Sequence, residues 1–130
     1  MEEIKKQYNK FLYPEPIENM KELIESNSYA EMCNANMFWD KYFPEKEYTD
    51  KLNVLSAGCG TNQIINLALE NPNWTIHGID LSEASIDFVH KQIKKYDLKN
   101  VTAEVKDIFD IDYKNEFDFV ISTGVIHHTK

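Results

Sequence analysis

Apolar and polar positions change rhythm near residue 51. Before that point they follow a helical period. Ile17, Met20, Leu23 and Ile24 fall at i, i+3, i+6 and i+7, which predicts a one-faced helix from Ile17 to about Tyr29. Two further helices are expected, over Glu2–Lys10 and over about Asn34–Tyr42. Met37, Phe38, Trp39, Tyr42 and Phe43 in and beside the last carry too much aromatic surface to stay wet, and read as core. Tyr13-Pro14-Glu15-Pro16 and Phe43-Pro44 punctuate the stretch, because proline and its predecessor both resist helix.

From Leu52 the pattern becomes strand, helix, strand. Leu52–Ala57 is a short apolar run ending in glycine, and Asn62–Glu70 a helix stopped by Asn71-Pro72. Trp74–Ile79 is the next strand. A helix follows from the Ser82 cap to about Tyr96, with Ile86, Val89, Ile93 and Tyr96 as its buried stripe. Glu83 faces its positive end, and Lys94 and Lys95 its negative end. Val101–Lys106 and Phe117–Ser122 predict two more strands. Strands alternating with helices of this length imply βαβ units, a parallel sheet and right-handed crossovers. The expected organisation is a helical lead-in or lid over residues 1–50 and an α/β domain over residues 51–130.

Length and composition narrow the class. The chain has 130 residues, 42% of them hydrophobic, enough for one domain with its own core and no disulfide or metal staple. Cys33 and Cys59 have no metal-ligand spacing and read as free thiols. No apolar run approaches the ~18 residues of a membrane span, and MEEIKKQYNK lacks the apolar core of a signal peptide, so the cytoplasm is the default. The formal charge is −8, and all 14 basic residues are lysine. An acidic chain without a basic run is a poor nucleic-acid binder.

Candidate chemistry concentrates in the second stretch. Val54-Leu55-Ser56-Ala57-Gly58-Cys59-Gly60-Thr61-Asn62 reads as a strand, a glycine turn and a helix start, where exposed N–H groups favour a polar or negative group. Asp80 lies 20 residues after Gly60 at the end of the second strand, placed to accept both ribose hydroxyls of an adenosine-type ligand. With Ser82 as the helix cap, Asp80 is expected to be free for that work. Asp107-Ile108 follows the third strand and suits an adenine amino group beside an apolar ring contact. Cys59 reads as a small turn residue rather than a nucleophile, His77 as a half-exposed strand histidine and His90 as a helix-surface one. His127 and His128 follow the fourth strand, where one could orient an acceptor or take its proton.

AGCGTNQ, GIDLS, KDI and FDFVISTGVIHH, in this order and spacing, resemble class I S-adenosylmethionine-dependent methyltransferases of the small-molecule type. The resemblance covers about residues 52–130, and QYNKFLYPEP resembles the lead-in of some bacterial members. It implies a Rossmann-like parallel sheet with strands ordered 3-2-1-4, incomplete against the family's seven strands. It also implies S-adenosyl-L-methionine as cofactor and a small-molecule methyl acceptor. By the same resemblance Ala57, Gly58, Cys59 and Gly60 would cradle the methionine end and Asp80 would hold the ribose. Leu81 would flank the adenine, and Asp107 with Ile108 would seat its amino edge. Ser122, Thr123 and Gly124 would end the fourth strand beside the methyl sulfonium, with His127 as the candidate catalytic residue.

Two positions depart from the family pattern. Ser56 stands where an acid is usual, and Asn62 replaces the third glycine. Asn62 is expected to keep the turn by adopting a left-handed backbone or capping the helix. Alternatives are a nucleoside-binding fragment without turnover and a nicotinamide-dependent oxidoreductase, though Gln63 spoils the latter's glycine pattern. The chain is expected to be a truncated methyltransferase. Its fourth strand should leave Phe117, Phe119 and Ile121 exposed on one side and Val120 on the other, an edge that invites a homodimer.

Overall fold

The computed structural model describes residues 15–26, 49, 51–114 and 116–122. The helices expected over Glu2–Lys10 and Asn34–Tyr42 lie outside the described residues, as do Cys33, Thr123, Gly124, His127 and His128. The elements run α1 (Met20–Glu25), β1 (Asn53–Ala57), α2 (Gln63–Glu70), β2 (Thr75–Asp80), α3 (Glu83–Lys95), β3 (Val101–Val105), a 3-10 turn (Ile108–Asp110) and β4 (Phe119–Ile121). The four strands form one sheet ordered β3-β2-β1-β4, every pair parallel. The expected α/β architecture is therefore present.

Each strand alternates its side chains between the two faces. Val54, Ile76 and Val101 point to the face covered by helices, where they join Ile64, Ile65, Leu67, Ile86 and Val89 in the main core. Met20 of α1 is fully buried in the same cluster. Contact between α2 and β2 is close enough that a Cβ on Gly78 would collide with the Ile64 side chain. On the second face Leu55, Ala57 and Ile79 form a smaller cluster, covered by Ile108, Tyr113 and Phe117 from the β3–β4 connection.

Helix α3 is capped as its sequence requires. The Ser85 N–H donates to Ser82 Oγ at 3.1 Å, with Glu83 in the first turn and Lys94 and Lys95 in the last. Helix α1 is shorter than its periodicity suggests, with Ile17 ahead of it rather than inside.

The fourth strand departs from expectation. It spans only Phe119–Ile121, because Asp118 is tied to the start of β1. The Asp118 N–H donates to Asn53 O at 2.7 Å, and the Asn53 N–H donates to Asp118 Oδ2 at 2.8 Å. Phe117 thus precedes the strand and packs on the second face, while Phe119 and Ile121 are half-buried against the main core. Only Val120, 56% exposed, stands out to solvent as expected.

Candidate functional site

The carboxyl ends of β1, β2 and β3 bring three loops to one edge of the sheet, the place where open parallel sheets take ligands. The first loop turns on Gly58 and Gly60, with φ of 72° and 60°, values costly for any residue with a Cβ. It is stitched to β2 by two bonds to one carbonyl: the Gly58 and Cys59 N–H groups donate to Ile79 O at 2.8 and 2.9 Å.

Asp80 joins the first two loops. Its Oδ2 accepts from the Gly60 N–H at 2.9 Å and its Oδ1 from the Ser82 N–H at 2.8 Å. The assignment of the helix cap to Ser82 holds, but Asp80 is not released by it. The two residues act in series, Asp80 holding Ser82 and Ser82 capping α3. A carboxylate offers about four lone-pair sites, so the group can still accept from a ligand. Burial raises the Asp80 pKa above the usual carboxylate range, against the lowering effect of N–H donors at Ser82, Gly60 and Leu81.

Cys59 is 2% exposed, and burial together with the nearby Asp80 charge pushes its thiol pKa far up. It remains a thiol and packs, as expected of a turn residue. Ala57 is buried at the strand end, and Leu81 is half-buried beside the carboxylate. The third loop is tied in through the backbone, the Lys106 N–H donating to Asp80 O at 3.0 Å. Asp107 caps its own 3-10 turn, Oδ1 accepting from the Phe109 N–H at 2.9 Å, and Ile108 packs on Leu55, Ala57 and Ile79. Ser122 is exposed just past β4, whose Ile121 pairs with Ser56 of β1.

The structure corrects the reading of Asn62. Its backbone is right-handed, φ −99° and ψ −39°, and its side chain makes no cap bond. Instead its amide reaches the segment before α1. Oδ1 accepts from the Ile17 N–H at 2.8 Å and Nδ2 donates to Glu15 O at 2.7 Å. A planar amide offers one donor and one acceptor side by side, as a peptide does. The only signal in the sequence was an amide standing in a glycine's place. Ser56 Oγ is buried with no hydrogen-bond partner among the described residues, a polar atom left over in β1 where the family pattern has an acid.

Two histidines read as structural behave so, with added partners. His90 Nε2 lies 2.8 Å from Ala103 O, bridging α3 to β3, and His77 is half-buried between Thr102 and Glu104. Among the described residues no group of three or more His, Cys, Asp or Glu side chains could hold a metal ion. No described helix is long and apolar enough to cross a membrane.

A family profile described as a methyltransferase domain matches residues 48–130. A probable (S)-tetrahydroprotoberberine N-methyltransferase 2 of Papaver bracteatum is 26% identical over 90 residues, covering 68% of this chain and 25% of that protein. The structure of PKMT2 from Rickettsia typhi in complex with AdoHcy superposes with a TM-score of 0.54 at 30% identity, covering 61% of this chain and 16% of that one. A putative S-adenosyl-L-methionine-dependent methyltransferase from Methanococcus maripaludis shares the fold over 89% of this chain and 55% of its own, with a TM-score of 0.58 at 16% identity. The chain thus spans about a quarter of the length of the curated relative named here.

Proposed function

Because the chain belongs to the methyltransferase-domain family, which matches residues 48–130, we propose that it binds S-adenosylmethionine at the carboxyl ends of β1 and β2 and serves methyl transfer to a small-molecule acceptor. The observation that carries this reading is Asp80. Its carboxylate is half-buried, fixed by one N–H from the glycine turn and one from the α3 start, and keeps acceptor capacity for a ligand.

The reading gives each residue its work. Asp80 accepts the ribose hydroxyls through charge-assisted bonds. Ala57, Gly58, Cys59 and Gly60 let the backbone approach the methionine end, where a side chain on either glycine would intrude. Ser56 Oγ, buried and unpartnered among the described residues, offers one polar contact in place of the missing acid. Leu81 and Ile108 supply apolar contact for the adenine, and Asp107 accepts from its amino group. Ser122, with Thr123 and Gly124, is assigned to the sulfonium side, and His127 to orienting or deprotonating the acceptor, by the family resemblance alone. When bound, the cofactor supplies an electrophilic methyl group on sulfur. The chain's own part is to hold it, exclude water and steer the acceptor.

The finer parts of this reading are a cytoplasmic location, a lead-in role for residues 1–50 over the crevice and a homodimer through β4. The Asn62 bonds to Glu15 and Ile17 favour the lead-in role, and the exposed Val120 favours the dimer. Calorimetric titration with S-adenosylhomocysteine and with NADH tests the cofactor, and a methyl-transfer assay tests turnover. Heat on adding S-adenosylhomocysteine but not NADH is expected. Equal binding of both would overturn the reading, and binding without turnover would leave a cofactor-binding unit.

A further inference from the structure

Between β3 and β4 the chain crosses the second sheet face with a single 3-10 turn among its described residues. Its first half, residues 106–113, is pinched at the neck. The Lys106 ammonium lies 4.9 Å from the centroid of the Tyr113 ring, and the Tyr113 hydroxyl donates to Glu104 Oε1 at 3.0 Å. The same oxygen takes His77 Nε2 at 3.0 Å, while His77 Nδ1 lies 2.7 Å from Thr102 Oγ1. The His77 and Tyr113 rings meet edge to face at 6.2 Å.

These contacts form a chain from β2 through β3 to the loop. An ionised Glu104 only accepts, so His77 carries a proton on Nε2, and its Nδ1 shares a hydrogen bond with the Thr102 hydroxyl. The two donated bonds hold the Glu104 pKa below its ordinary value, His77 first and Tyr113 second. An exposed ion pair alone adds little to stability. Here the gain is restraint. Phe109 at the loop's tip is 64% exposed, so the tip gains no packing, and the loop is held by Ile108 on the second face, by the Lys106 N–H bond to Asp80 O and by this neck. Asp107 and Ile108 sit between Lys106 and this tip.

We propose that Tyr113, held by Glu104 and His77, is a positioning residue that sets Asp107 to select a purine 6-amino group over a 6-oxo group. The proposal rests on the adenosyl reading above. A carboxylate accepts from the amino group and meets the lone pairs of the oxo group, so selectivity depends on where Asp107 is held.

The test uses the full chain and two ligands, S-adenosylhomocysteine and its deaminated analogue S-inosylhomocysteine, titrated by calorimetry. Wild type is expected to prefer the adenosyl ligand by about tenfold or more, the scale of one satisfied against one unpaired hydrogen bond. Tyr113→Phe keeps the ring contacts and deletes the hydroxyl. It is expected to shrink that preference several-fold with little change in melting temperature. Glu104→Ala should do the same, and Glu104→Gln, which retains an oxygen acceptor, should restore most of the preference. An unchanged preference in Tyr113→Phe and Glu104→Ala would overturn the proposal, as would an equal loss for both ligands. A wild type that binds neither ligand would overturn the adenosyl reading and this inference with it, whereas one that binds both alike would overturn this inference alone.

Discussion

The two faces of the sheet are built to different standards. On one, Val54, Ile76 and Val101 are sealed under α2 and α3, with Ile64, Ile65, Leu67 and Val89 at 0–1% exposure. On the other, Leu55, Ala57 and Ile79 are covered by half-buried Ile108, Tyr113 and Phe117 from a segment with almost no regular structure. The first face carries the stability of the described domain. The second carries a loop that reaches the proposed ligand edge and is held there by half-buried side chains and polar contacts. A ligand-binding loop needs freedom to adjust, and a tight core cannot grant it.

The sharpest way to break this comparison is to remove one isoleucine from each face. Ile64→Ala should cost about 2–5 kcal/mol of unfolding free energy, the scale of a buried cavity, and leave any remaining folded fraction able to bind ligand. Ile108→Ala should cost less than half of that and weaken S-adenosylhomocysteine binding. Denaturant midpoints and titrations on both variants decide the matter. Equal stability losses would mean the faces are equivalent.

Next in size is Asp80→Ala. Loss of charge-assisted ribose bonds should weaken S-adenosylhomocysteine binding by about 1.5–3 kcal/mol. Thermal melting should also fall, because the same carboxylate ties Gly60 to Ser82. Smaller again is Asn62→Gly, which restores the family residue but removes both bonds to the lead-in. We expect about 1–2 kcal/mol of lost stability and faster amide exchange at Ile17, with the glycine turn intact.

Acidification should split binding from stability. The folded-state pKa of Asp80 is raised, so the folded state holds its proton more tightly than the unfolded one. Its own contribution to stability is therefore greatest at low pH and declines as pH rises through the unfolded and then the folded pKa. Ligand affinity runs the opposite way, since only the carboxylate accepts both ribose hydroxyls. Titrations across mildly acidic pH should show affinity falling at a higher pH than an ordinary aspartate gives. A flat profile would mean Asp80 does not touch the ligand.

Much of the fold was legible because the strands are short runs, the first two closed by Gly58 and Asp80, and because Ser82 announces α3. The Gly58–Gly60 turn and Asp80 were legible for the same reason: their chemistry is local, and their spacing fits one βαβ unit. What escaped was contact across the chain. The grip of Asn62 on residues 45 and 47 positions earlier depends on where the lead-in docks, which no local pattern encodes. The sharing of Glu104 Oε1 by His77 and Tyr113 depends on β2–β3 register and on the path of an irregular loop. The misplacement of Phe117 has a similar root. Alternation predicted a strand through it, and with Asp118 tied to Asn53 the strand starts two residues later, at Phe119.

The central claim is that an adenosyl ligand sits where the loops after β1, β2 and β3 converge. Amide chemical shifts followed by NMR during titration with S-adenosylhomocysteine test it most directly. The account predicts the largest shifts at Gly58–Asn62, Asp80–Ser82 and Asp107–Phe109, with the outer face of α3 and Val120 almost still. Largest shifts at β4 or along α3, with the glycine turn unmoved, would contradict it.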